Sequence, residues 1–86
     1  DENVDSDYWT TTAGANSITG LSVNSKDLTG KIILAVARET DNYFPITSGT
    51  PVNDQALFTT GTGTITFDSA RPFESGEKVW AMWKDA

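Results

Sequence analysis

Apolar residues in this chain recur at every second position, and no segment sustains the three-to-four spacing of a helix. Lys78 to Lys84 places Val79, Ala81 and Trp83 on one face and Trp80 and Met82 on the other. Thr64 to Asp68 turns Ile65 and Phe67 one way, Thr64 and Thr66 the other. Successive side chains of a strand point to opposite faces, so this alternation predicts half-buried strands. Ser17 to Val23 alternates more loosely, with Leu21 and Val23 sharing a face. Lys31 to Arg38 is apolar on both faces, with Ile32, Leu34 and Val36 on one and Ile33, Ala35 and Ala37 on the other. Its β-branched content predicts a central strand covered on both sides, its small alanines closely approached by an aromatic partner. Tyr43-Phe44-Pro45-Ile46 suits an edge strand because proline cannot donate to a ladder. Ala56 to Thr59 is a further short candidate.

Glycine and polar clusters separate these runs, among them Gly14-Ala15-Asn16, Asn24 to Asp27, Ser48 to Pro51, Gly61-Thr62-Gly63 and Glu74-Ser75-Gly76. Asp27 to Gly30 allows one helical turn at most. Short strands recurring about every 8–12 residues predict a sandwich or small barrel. The expected fold is all-β: a small antiparallel β-sandwich or partly open barrel of six or seven short strands.

A chain of 86 residues forms one domain. At that size folding buries roughly 60–65% of the unfolded surface, so the core is small. Cysteine is absent, which removes disulfides, thiolate metal sites and cysteine nucleophiles. Histidine is absent as well, and with it the commonest general base and zinc ligand. No cofactor is expected. No apolar run approaches the roughly 20 residues of a membrane-spanning helix.

The net charge is −6, from 12 acids and 6 bases. Asp1, Glu2, Asp5 and Asp7 supply four of the acids, leaving eight against the six bases in the remainder. Residues 1–9 therefore read as a solvated, mobile acidic arm, and residues 10–86 as the folded domain. An acidic surface repels phosphate backbones, so neither nucleic acid nor an anionic membrane is an expected partner.

Groups that could carry chemistry are few. Asp68, Glu74 and Glu77 sit near one another in sequence, but a glycosidase needs a cleft that separates the pKa values of two acids, and these three occupy an evident turn. Asp41-Asn42 and Asn53-Asp54 fall short of the six to eight oxygen ligands calcium takes, and turn chemistry accounts for them. Thr62, Thr64 and Thr66 are too few for a registered threonine row. Glu77-Lys78 and Arg38-Glu39 read as charges at strand ends that discourage edge pairing. No enzymatic activity is expected. Aromatic residues are the better candidates for contact: Tyr8 and Trp9 as an exposed anchor beside the acidic arm, Tyr43 at the start of the edge-strand candidate, and one of Trp80 and Trp83, which lie on opposite faces of one strand. Indole rings bring large contact area at low rotamer entropy.

The series Leu28-x-Gly30-Lys31, Ile33-Leu34-Ala35-Val36-Ala37-Arg38-Glu39, Gly63-Thr64-Ile65-Thr66-Phe67 and Phe73-x-x-Gly76-Glu77-Lys78-Val79 resembles small β-domains of bacteriophage virion proteins. The likeness spans roughly residues 18–84 and consists of strand and turn chemistry. It implies a structural role in a virion, as a fibre, decoration or adaptor protein that contacts other virion subunits and forms homo-oligomers. The alternative is an extracellular carbohydrate-binding module. It would stack a glycan on Trp80 or Trp83 with Tyr43, and Asn42, Asn53, Asp54 or Gln55 would contact its hydroxyls.

Overall fold

The computed structural model describes residues 4–20, 25–39 and 43–86. Seven strands run in the order β1 (Val4–Thr10), β2 (Ser17–Thr19), β3 (Ile32–Arg38), β4 (Ile46–Thr47), β5 (Ala56–Thr59), β6 (Thr64–Phe67) and β7 (Lys78–Lys84). They form two sheets, β1-β7-β3 and β2-β6-β5-β4, packed as an open sandwich. The pairs are antiparallel except β4–β5, which is parallel. The all-β expectation holds, and the alternation of β6 and β7 is as read from the sequence. Ile65, Phe67, Val79, Ala81 and Trp83 are buried, whereas Trp80 and Met82 are exposed.

Four expectations are corrected, the last of them the reading of Arg38 and Glu77 as strand-end charges. Most of the supposed acidic arm is a strand. Val4–Thr10 pairs with β7 over its whole length, Trp9 opposite Val79 and Tyr8 opposite Trp80. Trp9 is fully buried, its ring 5.7 Å from that of Trp83. The indole outweighs the local charge because Asp5 and Asp7, on the same side of an edge strand as Trp9, keep contact with water. Residues 1–3 lie outside the described residues, as do Leu21, Val23 and Asn24.

The second correction concerns β3, which is an edge strand; β7 is the central one. Third, a bulge interrupts its alternation between Ile33 and Ala35, leaving Leu34 as the extra residue. Ile33 and Val36 consequently face the core, while Ile32, Ala35 and Ala37 take outward positions opposite Lys84, Met82 and Trp80.

The bulge has a further effect: it carries Arg38 inward. Arg38 is buried at the end of β3 and forms a two-pronged ion pair with Glu77, Nε to Oε2 at 2.7 Å and Nη2 to Oε1 at 2.9 Å. Its Nη1 donates to the carbonyl of Arg71 at 2.8 Å. The guanidinium lies between two aromatic rings, 5.1 Å from the centre of Phe67 and 4.9 Å from that of Phe73. Phe67 meets both Phe44 and Phe73 edge-on. Thr11 completes the closure, its backbone N and its hydroxyl both donating to the carbonyl of Glu77 at 2.8 Å. Arg38 and Glu77 are thus members of the core rather than solvated strand-end charges.

Gly63 shows how tightly the other side is packed. It has φ of +67°, and a Cβ there would stand 2.7 Å from the backbone N of Thr29. Gly63→Ala is expected to lower stability by about 2 kcal/mol through left-handed strain and this clash, read as a shift in the urea midpoint.

Two further outcomes follow. Trp9→Ala should cost about 3–5 kcal/mol, a large part of the roughly 4–13 kcal/mol expected for a domain this size. Deleting residues 1–9 should therefore abolish the cooperative transition in thermal denaturation. The Arg38 hydrogen bonds hold the Glu77 carboxyl below the ordinary carboxylate range. Folded Glu77 binds a proton more weakly than unfolded Glu77, so this contribution is complete above about pH 5 and is lost as pH falls below about 4. Glu77→Gln should lose about 3 kcal/mol at pH 7 by leaving Arg38 unpaired. Its stability should also fall less steeply than that of the parent between pH 5 and pH 3, measured by urea unfolding at each pH.

Candidate functional site

Because β7 lies between β1 and β3, its outward residues form the middle row of an aromatic sheet face. Trp80 is 46% exposed. It faces Tyr8 across one ladder, with ring centres 4.9 Å apart, and Ala37 across the other. Met82 lies likewise between Ser6 and Ala35. Tyr43 reaches the same face through a bridge to Ala37 and is 71% exposed. The alanines leave room between these larger groups, and Ser6, Ala35, Tyr43, Trp80 and Met82 line a shallow depression of about 200 Å³. Small alanines beside an aromatic were expected, and Trp80 is that neighbour.

Lysines frame this face. Lys78 Nζ stands 5.0 Å from the centre of the Tyr8 ring, and Lys84 occupies the outward position between Val4 and Ile32. Glu39 lies at the rim, where its Oε1 accepts the backbone N–H of Lys78 at 2.9 Å. The structure therefore brings together Tyr8, Tyr43 and Trp80 of the five aromatic candidates. Trp9 and Trp83 are instead core residues, because the β1–β7 register sets both on the inner side. Met82 was legible from alternation alone; nothing in the sequence marked Ser6.

A second apolar surface opens on the side of the sandwich where β3 and β4 are edges. Ile32, Ile33, Ile46, Thr47, Leu57 and Phe58 line a groove of about 500 Å³. Ile32 and Ile46 are 42% and 45% exposed, while Ile33 and Phe58 also pack on the core. Among the described residues no strand pairs with β3 along Ile32–Leu34 beyond its β7 partner; the Ala37–Tyr43 bridge covers only its other end.

Of the carboxylates weighed for catalysis, Glu74 and Glu77 border a polar cleft of about 590 Å³ with Arg38, Glu39, Arg71 and Pro72, and Asp68 does not line it. Glu77 is engaged by Arg38 as described. Asp68 accepts the backbone N–H groups of Asn53 and Ala70 at 2.7 and 2.9 Å, and these bonds lower its pKa. Both are held as ions by their hydrogen bonds, the wrong bias for a general acid at neutral pH.

Asp54 pairs with Arg71, and Gln55 Oε1 accepts the Val52 N–H. These two and Asn53 belong to the β4–β5 connection, and none of them lines the aromatic depression. Asp41 and Asn42 lie outside the described residues. Among the described residues no cluster of three or more acidic side chains is placed to hold a metal ion.

No family model matches this chain, and no curated protein or solved structure matches it.

Proposed function

We propose that this chain is a non-enzymatic assembly module of a virion, of the fibre, decoration or adaptor kind, working through contacts with other subunits and with copies of itself. The observation that carries this reading is the unequal treatment of the sandwich edges. β1 carries the inward-side acids Asp5 and Asp7, a device that deters strand addition. Among the described residues, the strand positions on the β3–β4 side carry no inward acid, and the charge nearest them is Lys31 at one end of the groove. The groove is flanked by the exposed Ile32 and Ile46, and Lys31, which lines one end of it, pairs with Asp85 at 2.6 Å.

Ile33 and Phe58 pack on the core yet stay partly exposed in this groove, and a neighbouring subunit covers them by burying apolar area and adding ladder bonds. A second copy seated on this groove is the occupant proposed. The bias of Glu77 and Asp68 towards their ionised forms supports a non-enzymatic role. The setting rests on the resemblance of its strand and turn motifs to virion modules.

Light scattering coupled to size exclusion tests this directly. The parent is expected to show a defined oligomer whose population rises with concentration. Ile46→Lys, at an exposed position, should shift it to monomer with an unchanged far-ultraviolet spectrum. A parent chain that stays monomeric up to millimolar concentration would rule out the homo-oligomer.

A further inference from the structure

We infer that the outer face of the β1-β7-β3 sheet binds an acidic carbohydrate, with one sugar ring stacked against Trp80 and Tyr43 and its carboxylate drawn to the lysines that frame them. This surface is separate from the β3–β4 groove, so the inference goes beyond the assembly reading.

Size is the first ground. The depression of about 200 Å³ is smaller than the ~300–1,000 Å³ usual for drug-sized ligands, so it accepts a single ring. Its walls are the exposed Trp80 and Tyr43 with Met82, and Ala35 leaves the middle low. Ser6 supplies a hydroxyl beside them that can donate and accept.

Charge is the second ground. The chain carries −6 overall, yet the charged outward positions on β1, β7 and β3 are Lys78 and Lys84. Asp5 and Asp7 stand on the opposite side of β1, and Glu39, held by the Lys78 amide, is the carboxylate at the rim. Among the described residues the outward charges on the three strands are thus both positive, which draws an anionic ligand to this face in preference to the rest of an acidic molecule. A second copy stacked face to face would set lysines against lysines, so self-association does not fit here.

The backbone supplies the third. Both edges of β7 are already paired, by β1 and by β3. An extended peptide laid across Trp80 would find no ladder to join, and its amides would lose water without gaining partners. A sugar can turn a C–H face to the indole and leave its hydroxyls to water and to Ser6.

The test is a nitrogen–proton NMR titration that follows the Trp80 side-chain N–H, with tetragalacturonate, cellotetraose and a Glu/Tyr peptide as probes. Tetragalacturonate should shift the Trp80 signal saturably at low salt and bind more weakly in high salt. Cellotetraose should bind markedly less. Trp80→Ala should weaken tetragalacturonate binding about tenfold or more, and Lys78→Gln about threefold, as for one exposed ion pair. Ile46→Lys should leave it unchanged, which separates this surface from the assembly groove. Equal binding of cellotetraose, salt-independent binding, a response to the peptide alone, or no shift with any probe would overturn the inference.

Discussion

The ion pair between Arg38 and Glu77 is the contact on which the arrangement of this small sandwich depends. A buried guanidinium is tolerated only when its donors and its charge are both matched. Here Glu77 meets the charge, the Arg71 carbonyl takes another donor, and two phenylalanine rings cover its faces. Those partners come from the end of β6 and the connection that leads into β7, so the pair ties both to the end of β3. Glu77 extends the reach further, since its carbonyl accepts both donors of Thr11 in the β1–β2 connection. One end of the sandwich is therefore closed by polar geometry. An apolar residue at position 38 could fill the space but would not specify which loop lies against it.

Closing one end in this way leaves the opposite flank exposed. The bulge at Leu34 is what turns Arg38 inward, and the same bulge sends Ile32, Ala35 and Ala37 outward. A regular β3 would have kept Val36 and Ile32 on one face and presented a different set to solvent. The alanines that make the depression beside Trp80, and the isoleucine at the lip of the β3–β4 groove, are thus consequences of the same inserted residue that delivers the buried cation. Internal closure and external surface are coupled through a single irregularity in one strand.

How much of this the sequence disclosed follows from range. Period-two patterning is local, so the positions and inward faces of β6 and β7 were legible. Pro45 likewise pointed to the edge strand that follows it. Non-local features were not. A run as apolar as Ile32 to Ala37 has no polar marker to reveal a bulge, and it fits a central strand as well as an edge one. The acids of the first seven residues suggested a free arm, whereas one indole two residues further on, paired opposite Val79, holds the segment in the sheet. Arg38 and Glu77 lie 39 positions apart, each beside a residue of opposite charge, which is why both looked like ordinary strand-end charges. Among the aromatic candidates, Tyr8 and Trp80 were recognisable as residues but not as neighbours, because only the β1–β7 register joins them.

The position of the Leu28–Lys31, Ile33–Glu39, Gly63–Phe67 and Phe73–Val79 segments takes on a definite meaning against this geometry. Gly63 lies where the β5–β6 turn meets Thr29; Phe67, Phe73, Arg38 and Glu77 compose the closed end; and Val36 and Val79 are fully buried. These segments therefore encode a way of closing a small sandwich. Most residues that offer contact, Tyr8, Tyr43, Ile46, Trp80 and Met82, fall outside them, while Ala35 and Lys78 lie within. Chains that share the motifs would be expected to share the scaffold while presenting different partners with different surfaces, since an exposed side chain on β7 can change without disturbing Arg38. On that logic, what this molecule binds is to be sought in the residues flanking the motifs, and the closed end is what holds those residues in register.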